Sequence, residues 1–343
     1  MSSPKEIRLC LTPRVHGVGG MVSFLHKLTA GLEARGIQTT NDLRNTQYDS
    51  ILVIGGTRDL AGLWRAKRRG VPIVQRLNGM NWLHRKLKTG LRHTLRAEYG
   101  NWLLNLIRTR FATHIVYQSE FAKGWWERVY GKTPVSSTVI YNGVDLTQYT
   151  PEGSHDRPTD RYRLLLVEGS LQGGYEMGLE TAVQLTQSLI SNLQSPVELM
   201  IVGKVSPELK AAWDTKAGFP IHWAGLVPRE KIPEIDRSAH LLYSADINAA
   251  CPNSVIEAIA CGLPVAAFDT GALPELVSPP AGCVVPYGGD PWQLDAPDVG
   301  ALAKGAVEMI EVGEDMRRAA RAHAEALFGL EKMVEKYLRV LLL

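Results

Sequence analysis

Short apolar runs alternate with amphipathic segments in the first half of the chain. The apolar residues Val22, Phe24, Leu25, Leu28 and Leu32 recur at helical spacing, which predicts a helix over 21–35. Ser119 is a favourable residue to cap a further helix. Predicted strands occupy residues 6–11, 50–55, 72–77 and 114–118. Strands that alternate with helices favour a parallel sheet.

The alternation restarts after a polar, proline-containing stretch at 151–161, which we interpret as a linker. After Ala296 the chain is predicted to be helical. Strands are predicted at 164–167, 198–202, 221–223, 241–243 and 265–268, and helices at 176–191, 206–216, 229–237 and 252–261. This order is typical of parallel sheets wound with right-handed crossovers. The pattern therefore predicts an α/β chain with two Rossmann-like, doubly wound domains, residues 1–150 and 151–329.

Length and composition agree with this division. A chain of 343 residues suits two domains of ordinary size, and 45% hydrophobic with 21% charged residues is typical of a soluble globular protein. No apolar run approaches the roughly 20 residues that span a bilayer, and the amino terminus lacks the pattern of a secretory signal. The four cysteines lack Cys-x-x-Cys spacing, so neither structural zinc nor disulfides are expected. We therefore expect a cytoplasmic protein.

The net charge of +3 hides an asymmetry between the two halves. Residues 1–150 contain 22 Lys and Arg against 9 Asp and Glu, whereas residues 151–343 contain 16 against 26. A basic half can face an anionic membrane, a phosphorylated acceptor or nucleic acid. Alternatively, the basic and acidic halves attract each other.

Residues 81–110 concentrate this basic charge around two tryptophans, Trp82 and Trp102, with Glu98 as the single acid. Such a segment can lie peripherally on an anionic membrane, here the inner face, or grip a negatively charged acceptor. It can equally be a solvated basic face with tryptophans in the core. No nucleic-acid-binding module is recognisable, so nucleic acid is an unlikely partner. The basic residues are Arg85, Lys86, Lys88, Arg92, Arg96, Arg108 and Arg110.

The stretch from Asp246 to Pro264 carries the most specific chemistry. A buried strand leads into a polar loop, and a helix follows with Pro252 at its start and Gly262 just past its end. Loops at the carboxyl ends of parallel strands are where ligands bind in α/β sheets, and a helix amino terminus there attracts anions. Asn253 and Ser254 stand at that terminus, and Glu257 is one helical turn further. The alternative is an ordinary strand–helix unit with a solvated glutamate.

Three stretches carry recognisable motifs. They are Cys251-Pro-Asn-Ser-Val-Ile-Glu-Ala-Ile-Ala-Cys-Gly-Leu-Pro-Val, the following Gly271-Ala-Leu-Pro-Glu-Leu-Val, and Asn142-Gly-Val-Asp near the end of the first predicted domain. The first two resemble the carboxyl-domain signature of glycosyltransferase family 4, and the third resembles its domain hinge. The resemblance implies the GT-B fold, in which two Rossmann-like domains face each other across a cleft. It implies that residues 1–150 form the acceptor-side domain and residues 151–329 the nucleotide-sugar domain. It also implies that residues 330–343 pack back on the first domain.

The implied activity is retaining, hexosyl-type transfer from a UDP- or GDP-type sugar to a glycan, lipid-linked or small-molecule acceptor. No cofactor and no metal are implied. The candidate catalytic residues are Asn78, which stands where family members often carry a His or an acid, and Glu257. The residues implied for the nucleotide sugar are Gly19, Gly20, Ser170, Gly173, Gly203, Lys204, Leu226, Asn253, Ser254 and Glu257.

Three positions depart from the family pattern. Ser170 and Met177 stand where an Arg and a Lys are expected, and Ala249 replaces the first acid of a Glu-x7-Glu motif. Other cations can supply the positive charge of the missing Arg and Lys, and the candidates are Lys204, Arg229 and Lys231. Alternatively, the chain binds a nucleotide sugar, glycan or protein without transfer, or the local alignment is shifted across 172–175. A sugar-nucleotide epimerase of the same architecture is a further hypothesis.

Overall fold

A computed structural model describes residues 6–15, 17, 19–45, 47–87, 90–171, 176–277, 279 and 281–343. The chain divides into two compact units, Met1–Gly143 with Leu330–Leu343, and Val144–Gly329. The division precedes the predicted boundary at 150 because backbone contacts tie residues 144–149 to the second unit. The Val144 amide donates to the Phe328 carbonyl at 2.8 Å, and Arg321 Nη1 donates to the Tyr149 carbonyl at 2.7 Å.

Within the described residues, the first unit forms a six-stranded parallel sheet in the order β2-β1-β3-β4-β5-β6. Its strands are β1 (Arg8–Thr12), β2 (Gln38–Thr40), β3 (Ser50–Ile54), β4 (Ile73–Leu77), β5 (His114–Tyr117) and β6 (Ser136–Val139). The helices between them are α1 (Gly20–Glu33), α2 (Leu60–Arg68), α3 (Leu91–Arg110) and α4 (Glu120–Tyr130).

The second unit forms another six-stranded parallel sheet in the part of the chain that is described, in the order β12-β11-β10-β7-β8-β9. Its strands are β7 (Tyr162–Ser170), β8 (Val197–Lys204), β9 (Ile221–Gly225), β10 (Leu241–Tyr243), β11 (Val265–Phe268) and β12 (Gly282–Val285). Its helices are α5 (Glu176–Leu193), α6 (Pro207–Lys216), α7 (Ile232–Ser238), α8 (Asn253–Ala260), α9 (Leu273–Leu276), α10 (Val299–Val312) and α11 (Glu314–Leu327).

The last helix, α12 (Leu330–Leu341), completes the core of the first unit. The rings of Phe24 and Tyr337 lie 5.1 Å apart. A Cβ atom added to Gly31 would lie 2.5 Å from Cγ2 of Val334, so the glycine permits α1 and α12 to pack closely. Burial of its apolar face therefore fixes this helix on the sheet.

Local sequence explains the start of one helix and the burial of two strands. The Ser119 hydroxyl accepts a hydrogen bond from the Ala122 amide at 3.0 Å, as predicted for a helix cap. Residues of β3 and β4 are all buried, as is typical of parallel strands covered on both faces. The predicted parallel α/β organisation is thus confirmed.

The strand order places a topological switch point in each sheet. In the second unit β8 and β9 are added on one side of β7 and β10 on the other, and in the first unit β2 and β3 lie on opposite sides of β1, so the switch points lie between β7 and β10 and between β1 and β3. Crevices outside the carboxyl ends of strands at such points are the usual ligand sites of doubly wound sheets. The loop after β10 and the end of β7 meet this description in the second unit.

Candidate functional site

The loop after β10 leads directly into α8, whose amino terminus lies at the switch point. Pro252 precedes the helix and provides no side-chain hydrogen bond to cap it. Asn253 and Ser254 are half-buried in the first turn. The first amides of a helix lack intrahelical partners, and the helix dipole favours negative charge there. This terminus can therefore bind an anionic group.

The same loop is braced from the following strand–helix connection. The Ala272 amide donates to the Ala249 carbonyl at 2.9 Å, and Thr270 Oγ1 donates to the Asp246 carbonyl at 3.1 Å. Gly271 has φ +60°, and a Cβ atom there would lie 2.6 Å from backbone atoms of Ala249. Only glycine permits this approach without a shift of the backbone. The loop is consequently held in one conformation.

Glu257 lies in the interior of the site, with 9% of its surface exposed. Burial, and then the charge of Glu257, raise the pKa of the Tyr149 hydroxyl, and the nearby Arg229 guanidinium opposes this. Burial and Glu257 likewise raise the pKa of the Asp236 carboxyl. Arg229, one of the predicted replacement cations, thus shares the surroundings of Tyr149 with Glu257.

The ends of β7 and β8 lie side by side. Ser170 pairs in register with Lys204, and the Leu171 amide donates to the Lys204 carbonyl at 3.0 Å. Gly203 has φ +147°, and a Cβ atom there would lie 2.2 Å from the Glu168 carbonyl oxygen. The Lys204 side chain is exposed, which leaves its ammonium group accessible to a ligand.

Two predicted donor-site residues of the second unit remain, Leu226 and Gly173. Leu226, just past β9, is 67% exposed, so its backbone is accessible at the same edge of the sheet. Gly173 lies outside the described residues. The structure therefore gathers Ser170, Gly203, Lys204, Leu226, Asn253, Ser254 and Glu257 at the carboxyl edge of one sheet.

Two acids at the switch point were not predicted as site residues. Glu168 lies near the carboxyl end of β7, and Asp246 follows β10. Burial raises the pKa of both carboxyl groups, and the charge of Asp246 raises that of Glu168 further. Burial and a neighbouring negative charge both disfavour the ionised form of a carboxyl group.

Asn78, the predicted catalytic residue of the first unit, follows β4 directly. Its Oδ1 accepts hydrogen bonds from Arg76 Nη1 and from Gln118 Nε2, both at 2.6 Å. Its carbonyl accepts one from Trp126 Nε1 at 2.8 Å. An amide whose oxygen is engaged in this way offers its NH2 group as a donor. It cannot act as a general base.

A buried arginine, Arg76, organises this end of the first sheet. Its Nη2 donates to Asn142 Oδ1 at 2.8 Å, and its guanidinium lies 3.8 Å from the centre of the Phe24 ring. Asn142 belongs to the motif that resembles a domain hinge. The adjoining Gly143 carbonyl accepts a hydrogen bond from the buried Lys27 ammonium at 2.9 Å. An arginine within a strand carries no sequence signal for this role.

Gly19 and Gly20 stand where α1 begins. Gly19 has φ +136° and caps the helix without a side chain, and both glycines are exposed. Among the described residues other than its chain neighbours, no heavy atom lies within 4 Å of a Cβ atom built on Gly19. The helix α1 therefore begins without a side-chain cap, and phosphate binding at these glycines stays a prediction.

The basic segment 81–110 presents an apolar stripe along α3. Leu91 and Leu95 are 84% and 70% exposed, and Tyr99 and Trp102 are about half exposed. These four residues lie at helical spacing on one face. Trp102 is thus not a core residue, and the alternative that both tryptophans of this segment lie in the core is wrong for Trp102.

The only acid of this segment is neutralised locally. Glu98 accepts hydrogen bonds from Arg85 Nε at 2.7 Å and from His84 Nε2 at 2.9 Å. Chiefly because of Arg85, the pKa of Glu98 is lowered to about 2. Glu98 therefore does not neutralise the positive charges of Arg92 and Arg96, which are exposed beside the apolar stripe.

Neither a metal site nor a membrane span is found among the residues that the structure describes. They contain no group of three or more His, Cys, Asp or Glu side chains arranged to hold a metal ion. None of the helices in the described ranges is both long and apolar enough to cross a bilayer.

Family profiles identify the class of protein. The profile described as Glycosyltransferase Family 4 matches residues 40–148, and the profile described as Glycosyl transferases group 1 matches residues 163–321. Together they cover most of both units, including every residue of the loop after β10. The chain belongs to the family 4 type of glycosyltransferases. No curated protein sequence matches it significantly.

Solved structures with the same fold cover nearly the entire chain. Sucrose-phosphate synthase from Thermosynechococcus elongatus is 15% identical with a TM-score of 0.72, over 98% of each chain. WaaG, a glycosyltransferase involved in lipopolysaccharide biosynthesis, is 14% identical with a TM-score of 0.70, over 98% of this chain and 99% of its own. HepE from Anabaena, in complex with UDP and glucose, is 17% identical with a TM-score of 0.68, over the same shares. These likenesses confirm the predicted GT-B fold class.

Proposed function

We propose that this glycosyltransferase moves a sugar from a nucleotide-diphosphate donor to an acceptor hydroxyl, with retention of the anomeric configuration. The observation that carries the proposal is the braced loop after β10, which ends in the uncapped terminus of α8 with Glu257 one turn further. The similar HepE from Anabaena, whose structure contains UDP and glucose, supports a nucleotide sugar as donor.

The donor diphosphate needs positive charge that the family's usual positions do not supply here. Ser170 and Met177 are uncharged, but Lys204 is exposed at the end of β8 and Arg229 lies near Tyr149. Together with the α8 amides, these two cations would stabilise the departing diphosphate, which is the largest expected contribution to catalysis. Glu257 would accept hydrogen bonds from the ribose hydroxyls.

The proposed chemistry requires no side-chain base. The acceptor oxygen bonds to the anomeric carbon on the face from which the diphosphate oxygen departs, and the departing phosphate takes the acceptor proton. The role left for Asn78 is to donate from its amide to a sugar hydroxyl, since its oxygen is already occupied.

A panel of UDP- and GDP-sugars, with and without simple acceptors, tests the proposal, and proton NMR of the product reports its anomeric configuration. Glu257→Gln should weaken donor binding by about 10- to 100-fold, because a hydrogen bond to a charged group is worth roughly 1.5–3 kcal/mol. Glu308→Gln, on α10 and away from the candidate site, is the matched control and should change nothing.

Other outcomes would support the competing hypotheses. Binding without turnover across the panel would indicate a relative that binds a nucleotide sugar but does not transfer it. Interconversion of donors in the absence of an acceptor would indicate an epimerase. An inverted product would contradict retention while leaving transfer intact.

We also propose that α3 brings the acceptor side of the protein to an anionic membrane, where a lipid-linked acceptor would be found. The argument is the combination of an exposed apolar stripe, Leu91 to Trp102, with the flanking Arg92 and Arg96. Interfacial helices bury such a stripe at the headgroup boundary, and their basic residues are attracted to anionic lipid.

A further inference from the structure

A cavity of about 420 Å³ lies at the amino-terminal edge of the second sheet, at the opposite ends of the strands from the candidate nucleotide site. Its lining includes Tyr162 at the start of β7 and residues just before β8, β10 and β11, namely Pro196, His240 and Pro264. The volume is in the range of small-molecule sites, roughly 300–1,000 Å³. Apolar walls come from these residues and from Met309 and Ile310 of α10.

Two arginines in the cavity wall share one carboxylate. Arg157 Nη2 lies 3.3 Å from Glu314 Oε1, and Arg317 Nε lies 4.0 Å from the same oxygen. The Glu314 side chain is 67% exposed, whereas Arg317 is buried and donates from Nη1 to the Ala239 carbonyl at 3.1 Å. One exposed acid is thus the shared ionic partner of two guanidinium groups.

The pKa values of neighbouring groups agree with a positive potential in this region. Burial, and then the charge of Arg157, lower the pKa of Arg317 to about 10. Burial, followed by Arg157, Arg317 and Arg163, lowers the pKa of His240 to about 4. The neutral His240 accepts from the Arg163 amide through Nδ1 at 3.0 Å, so its proton is on Nε2, which can donate.

Two helix termini meet at the cavity. The helix α11 begins at Glu314 after Gly313, which also lines the cavity. The preceding helix α10 ends at Val312, so the positive end of one helix dipole and the negative end of the other adjoin the same glycine. The arginine side chains therefore supply the positive charge of this cavity.

We propose that this cavity binds a small organic phosphate, at a site separate from that of the nucleotide sugar. The phosphate would displace the Glu314 carboxylate from Arg157 and Arg317, since guanidinium groups bind phosphate in a bidentate manner. The apolar walls would hold the organic part. In this arrangement Glu314 is an internal competitor of the ligand.

Isothermal titration of the full-length chain with phenyl phosphate tests the proposal without requiring glycosyl transfer. Arg157→Gln should weaken binding at least tenfold. Glu314→Gln, which removes the competitor, should tighten it several-fold. Arg318→Gln, at an exposed position on the same helix, is the control and should leave the affinity unchanged. Inorganic phosphate, which lacks an apolar part, should bind several-fold more weakly than phenyl phosphate.

Three results would overturn the proposal. These are no detectable heat of binding at millimolar phenyl phosphate, unchanged affinity in Arg157→Gln, and equal or weaker affinity in Glu314→Gln. Equal affinities for phenyl phosphate and inorganic phosphate would overturn the assignment of an organic ligand. The two variants have opposite expected signs, so general destabilisation cannot imitate the pattern.

Discussion

The exposed stripe of α3 permits a quantitative test of membrane binding. Replacing Leu91 and Leu95 together by serine removes the two most exposed apolar side chains of the stripe, at 84% and 70% exposure. A fully buried leucine side chain gains roughly 1.5–3 kcal/mol, so these fractions predict a loss of about 2–5 kcal/mol for the pair. This corresponds to about 30- to 5,000-fold weaker binding to the membrane.

The assay is sedimentation with vesicles of phosphatidylcholine containing a phosphatidylglycerol fraction. Val312→Ser, which removes a half-exposed apolar side chain in the second unit, is the control and should bind like the parent protein. Arg92→Gln with Arg96→Gln should weaken binding by about 2 kcal/mol, because each basic residue near an anionic surface contributes roughly 1 kcal/mol. Equal binding of the Leu91/Leu95 variant and the parent, or no binding of the parent, would refute the reasoning.

Three further predictions concern stability. Asp246→Asn should raise the free energy of unfolding at pH 8 and make it depend less on pH. Folding raises the pKa of this carboxyl group, so its contribution to the free energy of unfolding is lost as the pH rises through the folded-state value. Urea unfolding at pH 5 and 8 measures this, and an unchanged dependence on pH would contradict it. Gly271→Ala should lower the thermal stability more than Gly36→Ala. Both glycines have a positive φ, which costs an alanine about 1–2 kcal/mol, but of the two only Gly271 would place its Cβ atom against backbone atoms. Equal losses of stability would show that the backbone near Gly271 shifts at no cost. Ser119→Ala should cost about 1 kcal/mol in urea unfolding through loss of the helix cap, and no cost would mean that the cap is replaced.

The periodic apolar pattern predicted most of the two sheets because buried parallel strands are continuous apolar runs. The strands at 241–243 and 265–268 are found where they were predicted, and Ser119 and Pro252 mark the helix starts. The short edge strands β2, β6 and β12 were missed. The sequences of β2 and β6, Gln-Thr-Thr and Ser-Ser-Thr-Val, are polar because edge strands bury little surface. The strand β12, Gly-Cys-Val-Val, spans only four residues.

The sequence predicted residues of the candidate site only where they belong to a motif of fixed spacing. Glu257 and the start of α8 belong to a signature with fixed spacing, and the structure brings them to a switch point. Glu168 and Asp246 have no such spacing, because they come to the same end of the sheet only when β7 and β10 become neighbours. The role of Arg76 could likewise not be predicted from the sequence, since its partners Asn78 and Asn142 belong to different loops.

The position of α12 in the core of the first unit has a consequence for biosynthesis. Residues 144–329 form one uninterrupted unit, whereas Val334 and Tyr337 enter a core made mostly of residues translated much earlier. On a translating ribosome, the first unit still exposes the apolar surface that α12 will cover until residues 330–341 have been synthesised. The segment made first is therefore expected to close only after the last helix has been made.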